Sequence, residues 1–276
     1  MPIRRPFRFA ARAAATTAAC ALVSTAASAA PLSVTVTVQN LAPTNSVSFA
    51  PLRFGFNNGS FDAFNQGGVA TAPIISIAEG GSGSAWLPAF ATADPMATLG
   101  STAGALTPGQ TSSVILTVDP AVNRFFTFGS MVLPSNDFFI GNDSPTQYQL
   151  FDAAGNLQIT SITQKARDIW DAGSEAFDPL AAAFLVIGNN SLRTPQNGTV
   201  QFNFAELAGF NGLTTAAGYV FNSGLAATTD IYRISFGVAA VPEPGTYALM
   251  GAGLLLLGWA ARRRGGNGRA ADENCR

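Results

Sequence analysis

The chain has no histidine in its 276 residues, a single lysine (Lys165) and two cysteines, Cys20 and Cys275. Each shortage removes a class of chemistry. Without imidazole there is no base of the kind that activates a serine or cysteine nucleophile, and no His-ligated zinc. The two cysteines stand near opposite ends of the chain, so the interior forms neither a disulfide nor a thiolate metal site. Charge is scarce, with Asp, Glu, Lys and Arg making up 11% of the residues, and the formal net charge of −1 is misleading. Most arginines sit in the terminal segments. Residues 30–241 hold 13 acids against six bases (Arg53, Arg124, Lys165, Arg167, Arg193 and Arg233), a net charge of −7. A surface this acidic cannot neutralise a phosphate backbone, which excludes nucleic-acid binding. Among enzymes, a hydrolase built on paired carboxylates survives the elimination, because its acid and base need only Asp or Glu.

Both ends of the chain carry targeting chemistry. Arg4, Arg5, Arg8 and Arg12 precede an Ala-rich apolar stretch at 13–26, and Ala27-Ser28-Ala29 offers small residues at −3 and −1. That is a secretory signal peptide, cut by signal peptidase after Ala29. Cys20 does not read as a lipoprotein site, since Thr17 stands where leucine is expected and more apolar residues follow. At the other end, Val241-Pro242-Glu243-Pro244 leads into an apolar run at 246–261 and then Arg262-Arg263-Arg264. Sixteen helical residues rise about 24 Å, slightly short of the roughly 30 Å hydrocarbon core. Trp259 and the arginine stems cover the deficit at the interface. Three arginines after the run place the C-terminus in the cytoplasm and everything before Val241 outside.

On pattern alone a simple tail anchor is one reading of this transmembrane helix. The Pro-Glu-Pro triplet, helix and arginines, in that order, resemble the PEP-CTERM sorting signal. That resemblance implies a Gram-negative, exopolysaccharide-producing cell, transient anchoring in the inner membrane, and cleavage by an exosortase. The mature protein would then stand at the outer surface or in the extracellular matrix. The tail at 265–276 is longer than such signals usually carry.

The expected domains are a signal peptide at 1–29, a folded unit at 30–240 and the sorting signal at 241–276. The middle unit is long enough for one sandwich with a sizeable core. Residues 33–39 alternate strictly, which predicts a strand with its valines inward. Further strands are expected at 49–56 (interrupted by Pro51), 112–118, 125–133, 147–151, 157–164, 183–187, 199–204 and 231–238. A turn is expected at Asp152-Ala153-Ala154-Gly155-Asn156. Only 74–79 and 87–99 suggest short helices. The prediction is all-β: an antiparallel two-sheet sandwich with Greek-key connections.

Two acidic clusters stand out. The strand at 125–133 breaks at Pro134, and Ser135-Asn136-Asp137 follows on a loop. Trp170-Asp171-Ala172-Gly173-Ser174-Glu175 sets two carboxylates four residues apart, across a glycine that lets the chain turn back. Three carboxylates converging at one end of a sandwich would repel unless a hard cation sat between them. Calcium suits such a loop cage, with oxygen ligands at about 2.3–2.6 Å. By spacing alone, however, Asp and Gly in loops are ordinarily turn formers and solvated carboxylates. The sequons at Asn58, Asn142 and Asn197 read as ordinary loop residues, and Trp86 and Trp170 as core rather than sugar platforms.

Three stretches resemble the spondin N-terminal domain. The first is Gly59-Ser60-Phe61-Asp62-Ala63-Phe64, continuing through Gly67-Gly68-Val69-Ala70 to Ile77-Ala78-Glu79-Gly80. The second is Pro134-Ser135-Asn136-Asp137-Phe138-Phe139-Ile140-Gly141, and the third is Trp170-Asp171-Ala172-Gly173-Ser174-Glu175. The resemblance spans 34–178. It implies a sandwich similar to calcium-dependent membrane-binding modules, with one calcium ion held by Asp137, Asp171 and Glu175. The family has aspartate at the last position, and the longer arm of Glu175 would reach as a bidentate ligand. Asp143, Asp168 and Asp178 would serve as acceptors around those ligands. By fold-level analogy the work would be non-enzymatic adhesion to a polysaccharide or cell-surface ligand. A hydrolase of matrix polysaccharide and an inert structural matrix component stay open as alternatives.

Overall fold

The computed structural model describes residues 30–241 and 251–258. Along the chain these form β1 (Leu32–Asn40), β2 (Ser48–Phe49), β3 (Arg53–Asn57), α1 (Ala72–Ala78), α2 (Trp86–Ala93), β4 (Thr98–Ser101), β5 (Thr111–Val118) and β6 (Phe125–Leu133). Then come β7 (Phe138–Gly141), β8 (Ser161–Lys165), β9 (Trp170–Asp171), β10 (Gln201–Phe202) and β11 (Asp230–Ala240). Two antiparallel sheets pack together. One has four strands in the order β5-β1-β11-β8; the other has seven, running β10-β9-β7-β6-β3-β4 with β2 beside β6.

The alternation in β1 does what its period requires, and Val34, Val36 and Val38 are fully buried. The neighbouring strand β11 of the same sheet adds Tyr232, Ile234 and Phe236 to the same core. From the other sheet, the Phe126 and Phe56 rings meet Phe236 at 4.9 and 6.5 Å.

The seven-stranded sheet is covered on both faces. Its inner face fills the sandwich core, while α1, α2 and the segment around Phe61 and Phe64 lie over the outer one. This explains why β6 and β7 read as apolar runs without alternation, as strands shielded on both sides do. Phe64 meets Phe139 and Trp170 edge-on at 5.0 and 5.2 Å, and Phe61 stacks on Phe90 at 4.2 Å. Thr71 caps α1 by accepting the Ile74 N–H, with a proline in the first turn. The pairing of Trp86 and Trp170 with neighbouring phenylalanines agrees with their reading as core.

Several boundaries differ from those the sequence predicts. The helix expected at 87–99 stops at Ala93, because Asp94 precedes Pro95 and takes an extended backbone; residues 98–101 then pair as β4. Residues 138–141, not among the expected strands, form β7, and 170–171 form β9. The expected strands at 147–151 and 183–187 make only isolated bridges, such as Phe125 with Gln149 and Ser135 with Ala183. Those at 157–164 and 199–204 shrink to β8 and β10. Proline 51 does separate β2 from β3, as its missing N–H requires.

The outer layer gives a direct test. A Cβ built on Gly55 would lie 2.5 Å from the Phe90 ring, which is itself held by Phe61 and Trp86. Gly55→Ala is therefore expected to destabilise the domain by about 1–3 kcal/mol, read as a lower midpoint in denaturant unfolding with an unchanged slope.

Candidate functional site

Three segments meet where β7 and β9 pair. Phe138 lies opposite Asp171 and Phe139 opposite Trp170, and the Ala172 N–H donates to the Asp137 carbonyl at 3.2 Å. Trp170 anchors the corner, its indole N–H donating to the Gly141 carbonyl at 3.0 Å. After β9 the chain reverses at Gly173, with φ +64°. A Cβ there would stand 2.7 Å from the Thr199 nitrogen, so both the conformation and the space demand glycine.

That reversal wraps the chain around Asp137. Its Oδ2 accepts the Ser174 and Glu175 backbone N–H groups at 2.7 and 3.0 Å, and the Ser174 hydroxyl at 3.3 Å. The neighbouring Asn136 stitches the same two segments. Its amide donates to Glu175 Oε1 at 2.9 Å and to the Asp178 carbonyl at 3.1 Å, and its Oδ1 accepts the Asp178 N–H. Asp171 accepts the Gly173 N–H at 2.7 Å through Oδ1 and the Asn203 amide at 2.9 Å through Oδ2. The same Asn203 nitrogen donates to Glu206 Oε2 at 2.9 Å, so one amide bridges two carboxylates.

The electrostatics follow from this packing. Asp137 is 3% exposed. Burial, and then the charge of Asp171, push its carboxyl up to about 7 against the pull of its N–H bonds. Burial and Asp171 also raise Glu206. Glu175 is raised by burial, while Asn136 and Arg193 oppose that rise. Its Oε2 lies 3.3 Å from Arg193 Nε. Arg193 also sits 3.3 Å from Glu79 Oε2 and donates to the Glu79 carbonyl.

The structure therefore divides the three acids expected to share a cation. Asp137 and Asp171 are electrostatic neighbours. Glu175 is not gathered with them, because its carboxylate is turned to Asn136 and neutralised by Arg193. Among the described residues, no group of three or more acids is drawn together closely enough to hold a metal. The structure thus brings Asp137 and Asp171 near each other and leaves Glu175 apart. The acids expected around the ligands are engaged elsewhere: Asp168 and Asp178 bond within their own loops, to Lys165 N–H and Leu180 N–H, and Asp143 ties its loop to a distant one by accepting Gln66 N–H. Sequence reasoning missed Arg193, Asn203 and Glu206. The readable signal was Arg193 itself, a base in a loop of a domain with only six.

Residues 240–264 match the PEP-CTERM protein-sorting motif. Among curated proteins, none matches the chain. A chain bearing this motif is exported, processed by an exosortase and associated with the cell surface. The motif residues Pro242, Glu243, Pro244, Arg262, Arg263 and Arg264, and the expected signal peptide with its cleavage after Ala29, lie outside the described residues. Residues 251–258, inside the predicted span at 246–261, are helical, with Leu254, Leu255, Leu256 and Leu257 all exposed. Among the described residues, no helix is long and apolar enough to cross a membrane.

Two measurements probe the site. Removing Arg193 strands Glu175 as a buried charge, so Arg193→Ala is expected to cost about 3 kcal/mol at pH 8. The cost should shrink as the pH is lowered, since burial already raises the Glu175 carboxyl and protonation removes the stranded charge; an equal loss at pH 8 and in acid would contradict the pairing. The second uses Asp137, whose folded carboxyl titrates above its unfolded value of 3.8. Between those values the native state binds the extra proton, so stability falls as pH rises from about 4 to about 7. In calcium-free buffer, Asp137→Asn should flatten that fall, by on the order of a few kcal/mol.

Proposed function

We propose that the sandwich works outside the cell by binding rather than catalysis, as an adhesion or matrix protein of the surface exopolysaccharide. Calcium taken up at the Asp137–Asp171 pair would stiffen the turns that meet a ligand. The observation that carries this is the close pair itself. A buried carboxylate stands beside a half-buried one, the buried one is pushed up to about 7, and among the described residues no salt bridge reaches either. Such a pair calls for a proton or a cation. Calcium, when bound, supplies the positive charge that Arg193 supplies to Glu175, with backbone carbonyls and water filling its remaining positions. The resemblance to the spondin N-terminal domain at 59–80, 134–141 and 170–175 supports the same two aspartates. It also supports a sandwich similar to calcium-dependent membrane-binding modules.

A hydrolase is the second reading, and the neutral-range carboxyl of Asp137 beside Asp171 is what favours it. Against it, Asp137 is buried and both acids are occupied by N–H donors. The hollow beside this turn, about 280 Å³, is lined by Gly173 and Ser174 rather than by either aspartate. New reducing ends released from the host exopolysaccharide by the wild type and not by Asp137→Asn would decide for hydrolysis.

Binding of an ion to the folded state alone raises stability by about 1.4 kcal/mol at ten times Kd. Millimolar calcium is therefore expected to raise Tm by a few degrees. The rise should be larger at pH 8 than at pH 5, where protons compete for Asp137, and absent in Asp171→Asn. An unchanged Tm at both pH values would remove calcium from the account.

A further inference from the structure

Phe202 is out of keeping with the other aromatic residues at this corner. It lies flat on Trp170, with ring centroids 3.7 Å apart and planes at 23°. Trp170 is 5% exposed, whereas Phe202 shows 46% of its surface at the edge of the seven-stranded sheet. The indole beneath holds the phenyl face rigid and open. Two hollows flank it. One, about 460 Å³, is bordered by Arg167, Asp168, Asn203 and Phe204. The other, about 140 Å³, is bordered by Gln147, Tyr148, Thr163 and Gln164. Both include Phe202 and Asp168, so they form one groove, to which β8, an edge of the other sheet, contributes Thr163 and Gln164. The larger hollow falls within the roughly 300–1,000 Å³ usual for small-molecule sites.

The polar atoms around this ring are set for a ligand. The Tyr148 hydroxyl oxygen accepts the Gln147 and Gln164 amides at 3.1 and 3.2 Å. Both of its acceptor positions are filled, and its hydrogen is left to donate outward. Burial raises this hydroxyl further above its ordinary value, so it remains a donor. Asp168 gives Oδ2 to the Lys165 N–H. Its Oδ1 is 3.8 Å from Arg167 Nε, beyond hydrogen-bond reach, and is free to accept. A flat apolar face with a donor and an acceptor beside it suits a pyranose ring, whose C–H face is apolar and whose hydroxyls need both partners. The sign of the charge narrows the class. Asp168 and Arg167 line the groove as an ion pair whose charges cancel, which leaves Asp171 and Glu206 behind Asn203 to set its sign, a setting that disfavours uronates.

We propose that this groove binds a neutral hexopyranose glycan, one ring stacked on Phe202 and its hydroxyls bonded by Tyr148 and Asp168. The inference rests on the binding reading above and names its ligand class and site. The full-length protein in detergent is titrated calorimetrically with cellohexaose, mannohexaose and hexagalacturonate at pH 7. At least one neutral hexasaccharide should bind with Kd of about 10 μM to 1 mM. Phe202→Ala should weaken it tenfold or more and Tyr148→Phe several-fold, with Tm unchanged. Phe202→Leu, which keeps apolar bulk but loses the flat face, should also weaken it if the alanine variant unfolds. No neutral binding up to about 5 mM, undiminished binding by the folded Phe202 variants, or preference for hexagalacturonate overturns the proposal. Pull-down on the host exopolysaccharide separates the two levels. Retention of wild type and Phe202→Leu alike sinks the groove and keeps the binding function, whereas no retention of wild type sinks both.

Discussion

The hydrogen bonds from the Ser174 and Glu175 backbone to Asp137 decide how the acids of this corner are arranged. The β6–β7 turn sits at the margin of a sheet covered on both faces, where a carboxylate loses most of its water. Asp137 regains donors only because Gly173 reverses the chain and aims two N–H groups at it. The same reversal sends the Glu175 side chain toward Arg193 and Glu79. Two charge systems result. Glu175 and Glu79 are compensated by a guanidinium, while Asp137, Asp171 and Glu206 share only amide and hydroxyl donors. The second system is where an added positive charge gains most.

This corner is joined to the groove through a single strand pair. Gln201 lies opposite Asp171 and Phe202 opposite Trp170, and Asn203, next in sequence to Phe202, holds the Asp171 carboxylate. An ion at the acid pair and a sugar on the phenyl ring would therefore act on adjacent residues of β9 and β10. The sorting motif supplies the route by which the protein reaches the cell surface.

Much of this was legible where periodicity is strong. The strict alternation of β1 and the long apolar run of β6 placed both strands, and Pro51 split β2 from β3 as expected. Phe138-Phe139-Ile140-Gly141 was not recognised as a strand because a strand buried on both faces has no alternation to read, and its neighbour Asp137 drew attention to the turn instead. The helix from 87 was overrun because the apolar spacing continues past Asp94-Pro95, although proline forbids the helix there. At the site, Asp137, Asp171 and Glu175 stood out as acids of two short motifs, and only the resemblance to the spondin N-terminal domain singled them out as ligands. Their division into compensated and uncompensated acids depends on Arg193, Asn203 and Glu206, which arrive from 18 to 35 residues downstream of Glu175 and Asp171. No local pattern encodes that meeting.

The most direct measurement is the carboxyl titration of Asp137 by carbon-detected NMR, with and without calcium. The account predicts a midpoint near 7 in metal-free buffer that moves well down the pH scale in millimolar calcium, with Glu175 little changed. Identical Asp137 curves in the two buffers would contradict it.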